Sequence, residues 1–454
     1  MRHFLAVLKD SYREARDGWI IYLMIAIAVL LTLVALSISY RPRTVEEMVL
    51  KIPEKYNWIF GLAGSQPGRP APPKLAIENF AQTNEATEPW KGDYTWDYVV
   101  AFPSAKDKEE IVKSGFPFAQ KDTVLRIFRD EKDFSVFNDL KMAAVETNPA
   151  EVRYRFTTHG TKVQTVRAWP HEVRVLFGVK TYGVVGYTVE EAVYNVEKWA
   201  IHKIGSTVAL LIGIVITSFF IPNMMRKGTV DLLISKPDYR AELLIYKYLG
   251  GMLFMLIPTI VTVGGIWLAI GLRSGIWSTG FLWVIPGLVF YFAILYSVSA
   301  LMGTLTRSPF VAILVTIAVW GLFYGNGVVH GMVEDYRLAQ ERISKEIAKA
   351  KGKDSKSKDD KSKDNEELVP PEMRVPSWLL ITSDVFHAVL PRTGDIDDLN
   401  SKLIAEGVLS PPELKRKNLV DLKYPSWVEV IGVSSVFISI MLGLACWRFS
   451  TRDH

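Results

Sequence analysis

The stretch PNMMRKGTVDLLISKPDYRAELLIYKYLGG, Pro222–Gly251, decides how this chain is read. It is a short basic segment pinned between two long apolar runs, Ile204–Met225 and Leu243–Leu272. Gly228 follows the first run and acts as a helix stop. Thr229 is placed to cap the next turn, with Asp231 near the positive end of that turn. Val230, Leu232, Leu233 and Ile234 make the turn apolar. Lys236-Pro237 ends it, because the residue before a proline disfavours helix. Arg240 and Glu242 restart a helix that runs through Lys247 into the second apolar run. The pattern predicts a rigid, greasy knob at a membrane surface that a soluble partner with a groove can grip. An ordinary amphipathic connector would carry the same pattern.

Six segments are long and apolar enough to be spans, because about 20 apolar residues cross the hydrocarbon core. They are Trp19–Tyr40, Ile204–Met225, Leu243–Leu272, Phe281–Leu305, Phe310–Met332 and Trp427–Trp447. The 454 residues are 49% hydrophobic and 22% charged, with a mean hydropathy of +0.16; that average hides nearly charge-free runs beside very polar stretches. Trp19–Tyr40 is too long for a signal peptide, and Ser39-Tyr40-Arg41-Pro42 is a poor cleavage site, so it reads as an uncleaved anchor.

Short basic loops set the expected orientation. Arg2, Lys9, Arg13 and Arg16 precede the first span; Arg226, Lys227, Lys236, Arg240 and Lys247 follow the second; Arg307 links the fourth and fifth; Arg448 and Arg452 lie in the tail. The opposite short loop, Gly271–Gly280, has only Arg273. Both termini and the 226–242 loop are therefore expected in the cytoplasm of a bacterium, with the chain in its inner membrane. The net charge of +5 then mostly reports orientation, and no aromatic-interleaved basic patch points to nucleic acid. A single cysteine, Cys446, excludes a CxxC or four-cysteine zinc site.

Residues 1–18 carry Phe4, Val7, Leu8, Tyr12 and Ala15 at helical spacing, an interfacial amphipathic helix or a simple extension of the first span. Residues 41–200 are an extracytoplasmic insert, loop-like at Gly64–Pro73 and then a small α+β domain of about 100 residues. Strands are expected at Asp97–Pro103, Val124–Arg129, Glu151–Thr158, Val163–Trp169 and Glu172–Gly178, with helices at Ala105–Ser114 and Val189–Lys203. A second outside insert, 333–426, opens with a charged helical pattern, Glu334–Lys351, and continues into the low-complexity tract 352–367, read as a disordered tether. Helical pieces follow at Trp378–Leu390, Asp395–Glu406 and Pro411–Asn418. Residues 448–454 are the cytoplasmic tail. The fold class is thus an α-helical polytopic membrane protein of six transmembrane helices, with an α+β domain between helices 1 and 2.

Several chemistries are absent from the sequence. There is no GxxxxGK[ST] phosphate loop and no GxSxG elbow, and His171-Glu172 has Val175 where an HExxH needs its second histidine. Met224-Met225 at a span end is ordinary packing. The remaining histidines, His202, His330, His387 and His454 among them, look scattered. The spans carry Asp, Glu, Lys or Arg only near their ends, which argues against an ion-coupled transporter and leaves the driving energy to another polypeptide. Gly321 with Gly325, and Gly327 with Gly331, are two GxxxG pairs suited to close helix packing, within the chain or between copies.

The run Gly228–Pro237, followed by Arg240 and Lys247, resembles the coupling region of ABC-2 type ABC transporter permeases. The tail Trp447–Asp453 is similar to that family's common ending, and Leu390-Pro391 with Asp395–Leu403 resembles its segment before the last span. Residues 223–227 (Asn-Met-Met-Arg-Lys) depart from the family in lacking the acid that many members carry there. The resemblance implies two permease copies and a separate ABC ATPase subunit that would hold ATP and Mg; this chain would carry no cofactor and no catalytic residue. It implies coupling contacts at Gly228, Thr229, Leu232, Leu233, Lys236, Pro237 and Arg240. A membrane-anchored scaffold or receptor whose outside domain binds a partner is the alternative.

Overall fold

The computed structural model describes residues 20–63, 72–113, 116–130, 132–145, 148–163, 165–182, 188–225, 240–350, 376–417, 419 and 424–451. The segment 1–18 and the tract 352–367 lie outside these residues. The chain begins with α1 (Ile20–Leu36), whose 17 residues are all apolar save Thr32. Thr32 donates its hydroxyl proton to the Ala28 carbonyl, 2.9 Å away, so that hydroxyl is not left bare.

After α1 the chain enters the α+β insert through β1 (Ser39–Pro42). Thr44 and Glu47 then form a reciprocal capping box: Glu47 N donates to Thr44 Oγ1 at 3.2 Å and Thr44 N to Glu47 Oε2 at 3.1 Å. That cap starts α2 (Val45–Ala63). The remaining elements are β2 (Lys74–Gln82), β3 (Tyr94–Ala101), α3 (Ala105–Lys113), α4 (Lys121–Asp130), β4 (Phe137–Val145), β5 (Glu151–Thr161), β6 (His171–Val175) and β7 (Lys180–Tyr182). They make two antiparallel sheets, ordered β2-β3-β5-β4 and β1-β6-β7. The larger sheet is centred on Trp96 and Phe156, register partners whose rings stack at 5.5 Å. In the smaller sheet, β1 from the start of the insert pairs with β6 near its end, so chain entry and exit lie side by side.

Two expected strands are corrected. Val124–Arg129 is part of helix α4: Val124 and Phe128, four apart, are both buried, while Asp122, Arg126 and Arg129 are exposed. That is a period of 3.6 residues, and it outweighs the local β propensity. Val163–Trp169 holds only a 3-10 turn, Val166–Ala168, which delivers Trp169 into the core, where its indole N–H donates to the Arg43 carbonyl at 2.8 Å. The strand expected to reach Gly178 stops at Val175, because Leu176 and Phe177 adopt left-handed backbone.

Among the described residues five helices are long and apolar enough to cross a membrane. They are α5 (Val189–Met224), α6 (Arg240–Ser274), the near-continuous pair α7 (Thr279–Leu282) and α8 (Val284–Thr306), α9 (Pro309–Ala350), and, after the shorter α10 (Ser377–Val389), α11 (Thr393–Val408) and α12 (Pro411–Arg416), the last helix α13 (Trp427–Thr451). The described part of α1 is apolar but shorter. The protein is therefore a multi-pass, mostly helical membrane protein with a small α+β region near its N-terminus. The fifth expected span and the charged pattern after it form one helix: α9 runs unbroken for 42 residues.

The spans alternate in direction. Residues 225 and 240, the α8–α9 link at Arg307 and the C-terminal end of α13 share one end of the bundle, the loop end. The insert and helices α10 to α12 share the other, the domain end. Helix α8 is central, and every residue from Tyr291 to Ala300 is buried. Glycines permit close approach both outside and within the expected GxxxG pairs. A Cβ on Gly251 of α6 would meet the Tyr296 ring of α8 at 2.6 Å. A Cβ on Gly327 would lie 3.6 Å from Gly394 of α11, whereas one on Gly321, Gly325 or Gly331 would meet no described atom of another element within 4 Å in a single chain.

The insert owes its rigidity partly to Asp97 on β3, a buried carboxylate. It accepts from Arg155 Nε at 2.8 Å and Arg155 Nη2 at 3.0 Å, and from Asn79 Nδ2 at 2.8 Å. These bonds, the Arg155 hydrogen bond foremost, hold its carboxyl below the usual carboxylate range. A depressed carboxylate stabilises the fold above its unfolded pKa and loses that contribution as pH falls through the folded value. Asp97→Asn is expected to destabilise the insert by about 2–3 kcal/mol at pH 7. The check is faster amide exchange across β3 and β5 in the full-length protein, with wild type reaching comparable exchange only in strong acid.

Candidate functional site

The site read from sequence is the link between α5 and α6. Gly228, Thr229, Leu232, Leu233, Lys236 and Pro237 lie outside the described residues, and Arg240 opens α6. The structure shows the socket into which both ends of that link are rooted. On the α5 side, Phe220, Ile221, Pro222, Met224 and Met225 are all buried. A Cβ on Gly303 of α8 would touch Pro222 at 3.4 Å, so α5 lies close against α8 here. Ser218 and Ser299 join the same two helices by a hydroxyl–hydroxyl bond of 2.7 Å.

On the α6 side, Leu244, Lys247 and Tyr248 point inward. The Tyr248 ring stacks on Tyr296 at 5.1 Å and 8°, and its hydroxyl donates to the Ala293 carbonyl at 2.7 Å. The Lys247 ammonium lies 5.9 Å from the Phe220 ring centre, across from α6 to α5, which keeps a buried cation beside an aromatic face. Phe220 in turn packs edge-on against Phe254 at 5.5 Å. Helix α13 closes the cluster: Phe449 is buried, and the Cys446 thiol lies 3.9 Å from the Ala241 carbonyl. Met224 and Met225 are core residues of this cluster.

A second polar constellation sits at the domain end, and sequence reading missed it. Within α5, Ala200–Ala209 winds as a π-helix, a rare conformation often found where function distorts a helix. It presents His202 and Ser206 to α11. Ser206 Oγ donates to Asp397 Oδ1 at 2.6 Å, and His202 Nε2 is 2.7 Å from Ser401 Oγ. Ser401 Oγ donates to the Asp397 carbonyl at 2.9 Å, so its hydroxyl accepts from His202 and the imidazole proton belongs on Nε2. His202 Nδ1 then faces Asp397 Oδ2 at 3.9 Å. One turn on, Asn400 is buried with neither side-chain polar atom paired, against Gly287 of α8. An apolar cleft beside the π-helix is lined by Met24, Leu31, Gly205, Pro258, Thr262 and Phe292.

Two histidines that look unrelated in sequence also meet. His330 of α9 stacks on His387 of α10 at 3.7 Å, and His387 Nε2 lies 3.1 Å from Asp395 Oδ1. His171, by contrast, sits in β6 with Nδ1 2.7 Å from the Trp169 carbonyl, and burial lowers its pKa. Glu172 beside it pairs with Arg174 at 2.5 Å. Among the described residues no group of three or more His, Cys, Asp or Glu is placed to hold a metal ion. Glu197, just before the second expected span, is fully buried at the domain end of α5.

The family model for the ABC-2 family transporter protein matches residues 138–454, more than two thirds of the chain. The chain belongs to the ABC-2 transporter family. A comparison with curated proteins found no match. The match opens within β4 and takes in all five long apolar helices, the socket and α11. As an ABC-2 protein, the chain is a membrane component of an ABC transporter and is not itself catalytic. The family implies an ATPase partner.

Only faint signals in the sequence could have disclosed the domain-end constellation. Ile396, Asp397, Asn400 and Ile404 recur at helical spacing, which puts two polar groups on an apolar face, but nothing in Ala200–Ala209 announces a π-helix. Burial pushes the Asp397 carboxyl up to about 7. The folded state therefore holds this proton more tightly than the unfolded chain, and stability falls as pH rises from the ordinary carboxylate range to about 7, then levels off. Asp397→Asn removes that slope. It is expected to raise stability at pH 8 by about 2–4 kcal/mol and to change little at pH 4. Thermal unfolding of the purified protein in nanodiscs across this range decides it, and an unchanged slope in the variant rules the assignment out.

Proposed function

We propose that this chain is the permease subunit of an ATP-driven exporter, and that the 226–242 link transmits work from a separate ATPase subunit into the bundle. The observation that carries this reading is the rooting of both link ends in one aromatic cluster around α8, through Pro222 against Gly303 and Tyr248 against Tyr296. Such a link cannot be displaced alone. A closing ATPase dimer that grips the knob, Leu232 and Leu233 above all, moves α5 and α6 together and drags α8 with them. Close-packed bundles respond to such a push by switching between discrete packings.

ATP and Mg belong on the partner in this scheme. Gly321, Gly325 and Gly331 on α9, where an added Cβ would meet no described atom within one chain, fit a second permease copy, since small residues let helix backbones approach. The short basic loops support a reading in which both termini and the link lie in the cytoplasm of a bacterium, with the α+β insert outside.

The decisive experiment is Leu233→Asp in a complex reconstituted with the co-purified ATPase. The variant is expected to insert and to leave basal hydrolysis intact while transport-stimulated hydrolysis drops to the basal level. Stimulation equal to wild type would remove the link from the mechanism. Failure of any ATPase to co-purify would favour a scaffold.

A further inference from the structure

The hairpin between β6 and β7 breaks the usual rules for an aqueous turn. Its tip, Leu176-Phe177-Gly178-Val179, is apolar, and its side chains are exposed: 51% for Leu176, 77% for Phe177 and 86% for Val179. Leu176 and Phe177 both hold φ of +55° and Gly178 +96°. Such left-handed pairs normally fall to Asn, Asp or Gly, because a Cβ is crowded there. Two bulky apolar residues in that conformation, facing water, combine backbone strain with unrewarded apolar exposure.

The backbone bonds of the tip explain how the conformation is held and where it points. Leu176 N donates to Ser37 Oγ at 3.1 Å and Phe177 N to the Ser37 carbonyl at 3.1 Å. Ser37 is the first residue beyond α1, so the tip is stapled to the point where an apolar helix leaves the bilayer. Leu30, Leu33 and Val34, on the last turns of α1, are exposed side chains of the lipid-facing surface. Val34 is three residues below Ser37, about 4.5 Å along the helix axis.

Other side chains mark the same level as the membrane interface. Arg273, at the domain end of α6, donates from Nε to the Ile38 carbonyl at 2.9 Å. Trp199, Trp277 and Trp283, at the domain ends of α5 to α8, are all exposed, as in the aromatic belt where indoles sit among headgroups. The apolar tip continues the lipid-facing surface at the height of this belt.

We infer that the β6–β7 hairpin tip is a lipid anchor, inserting Leu176, Phe177 and Val179 into the leaflet on the insert's side of the membrane. The ligand is the bilayer surface itself, and the depth is that of the headgroup–acyl boundary. Lys180, the next residue, stands where a cation can remain among headgroups while its stem lies along them. The inserted domain is then held to the membrane at three points: the end of α1, the start of α5, and the tip. This does not depend on what the protein transports.

The test uses the full-length chain in nanodiscs. Cys446→Ser removes the one native thiol, and single cysteines are placed at Phe177→Cys, Val179→Cys and, at an exposed position of α3, Val112→Cys, each carrying an environment-sensitive NBD probe. At 177 and 179 the emission is expected to be blue-shifted and to lose more than half its intensity when shallow nitroxide lipids are included; at 112 neither change is expected. Val179 lies outside the left-handed pair, so it decides the matter if the 177 variant fails to fold. Water-like emission at 179, insensitive to nitroxide lipid, overturns the anchor. A blue shift without lipid quenching also overturns it, and shows a protein partner covering the tip.

Discussion

Gly251 lets α6 lie against α8 closely enough for Tyr248 and Tyr296 to stack and for the Tyr248 hydroxyl to reach a backbone carbonyl of α8. In lipid there is little hydrophobic reward for bringing helices together, so close contact at small residues and interhelical hydrogen bonds do the work. Much of the bundle depends on this contact. Helix α8 is flanked by α5, α6, α9 and α13, and its central ten residues are all buried. A shift of α6 at this contact therefore cannot be absorbed locally. It has to be passed to α8, and from there to α5 through Pro222 and the Ser218–Ser299 bond.

The two ends of the bundle are built differently. The loop end is apolar and aromatic, with Lys247 the one buried cation there among the described residues, held near a ring. The domain end is polar, with a π-helix, a histidine–serine–aspartate set of contacts, and an asparagine with no partner. Apolar, aromatic packing is stiff and suits transmission of force. A π-helix already has a broken hydrogen-bond pattern, so it can rewind at lower cost than a regular helix. Pro258 faces the same cleft from α6, and a proline there removes one backbone bond from that helix as well. Compliance is thus concentrated on the domain side of the bundle.

This division explains what the sequence disclosed. Long apolar runs can be read directly, because they depend on composition; the GTVDLLISKP segment lies outside the described residues. The path of α9 was obscured by a change from apolar to charged surface at Glu334, although a helix has no reason to stop where its environment changes. Strand β4 buries Phe137 and Leu140, three apart, so it shows no alternation to read. The Asp397 site and the His330–His387 stack join residues that are 191 and 57 positions apart, Ser206 to Asp397 and His330 to His387, and no local pattern encodes such pairings. The left-handed tip at Leu176 was hidden because β-favouring residues occupy it; only the tertiary bonds to Ser37 show why the strand ends there.

The insert is not a loosely hung domain. Strand β1 leaves α1 and pairs with β6, and the chain re-enters the bundle at α5 under a Thr188 cap. Glu191, buried in the first turn of α5, receives both Arg416 at the end of α12 and Lys417 just beyond it, while Glu190 accepts from the backbone of Ser410 at 2.9 Å. A carboxylate bound by two cations is difficult to separate from either, since breaking one contact leaves a charge in a poorly solvated place. The base of α5 is thus clamped to α12, and α12 follows directly on α11, which carries Asp397. In the proposed coupling, motion imposed on α5 from the loop end meets this clamp before it reaches the sheet. The π-helix at Ala200–Ala209 lies between the push and the clamp, so it is the segment of α5 on which the strain must fall.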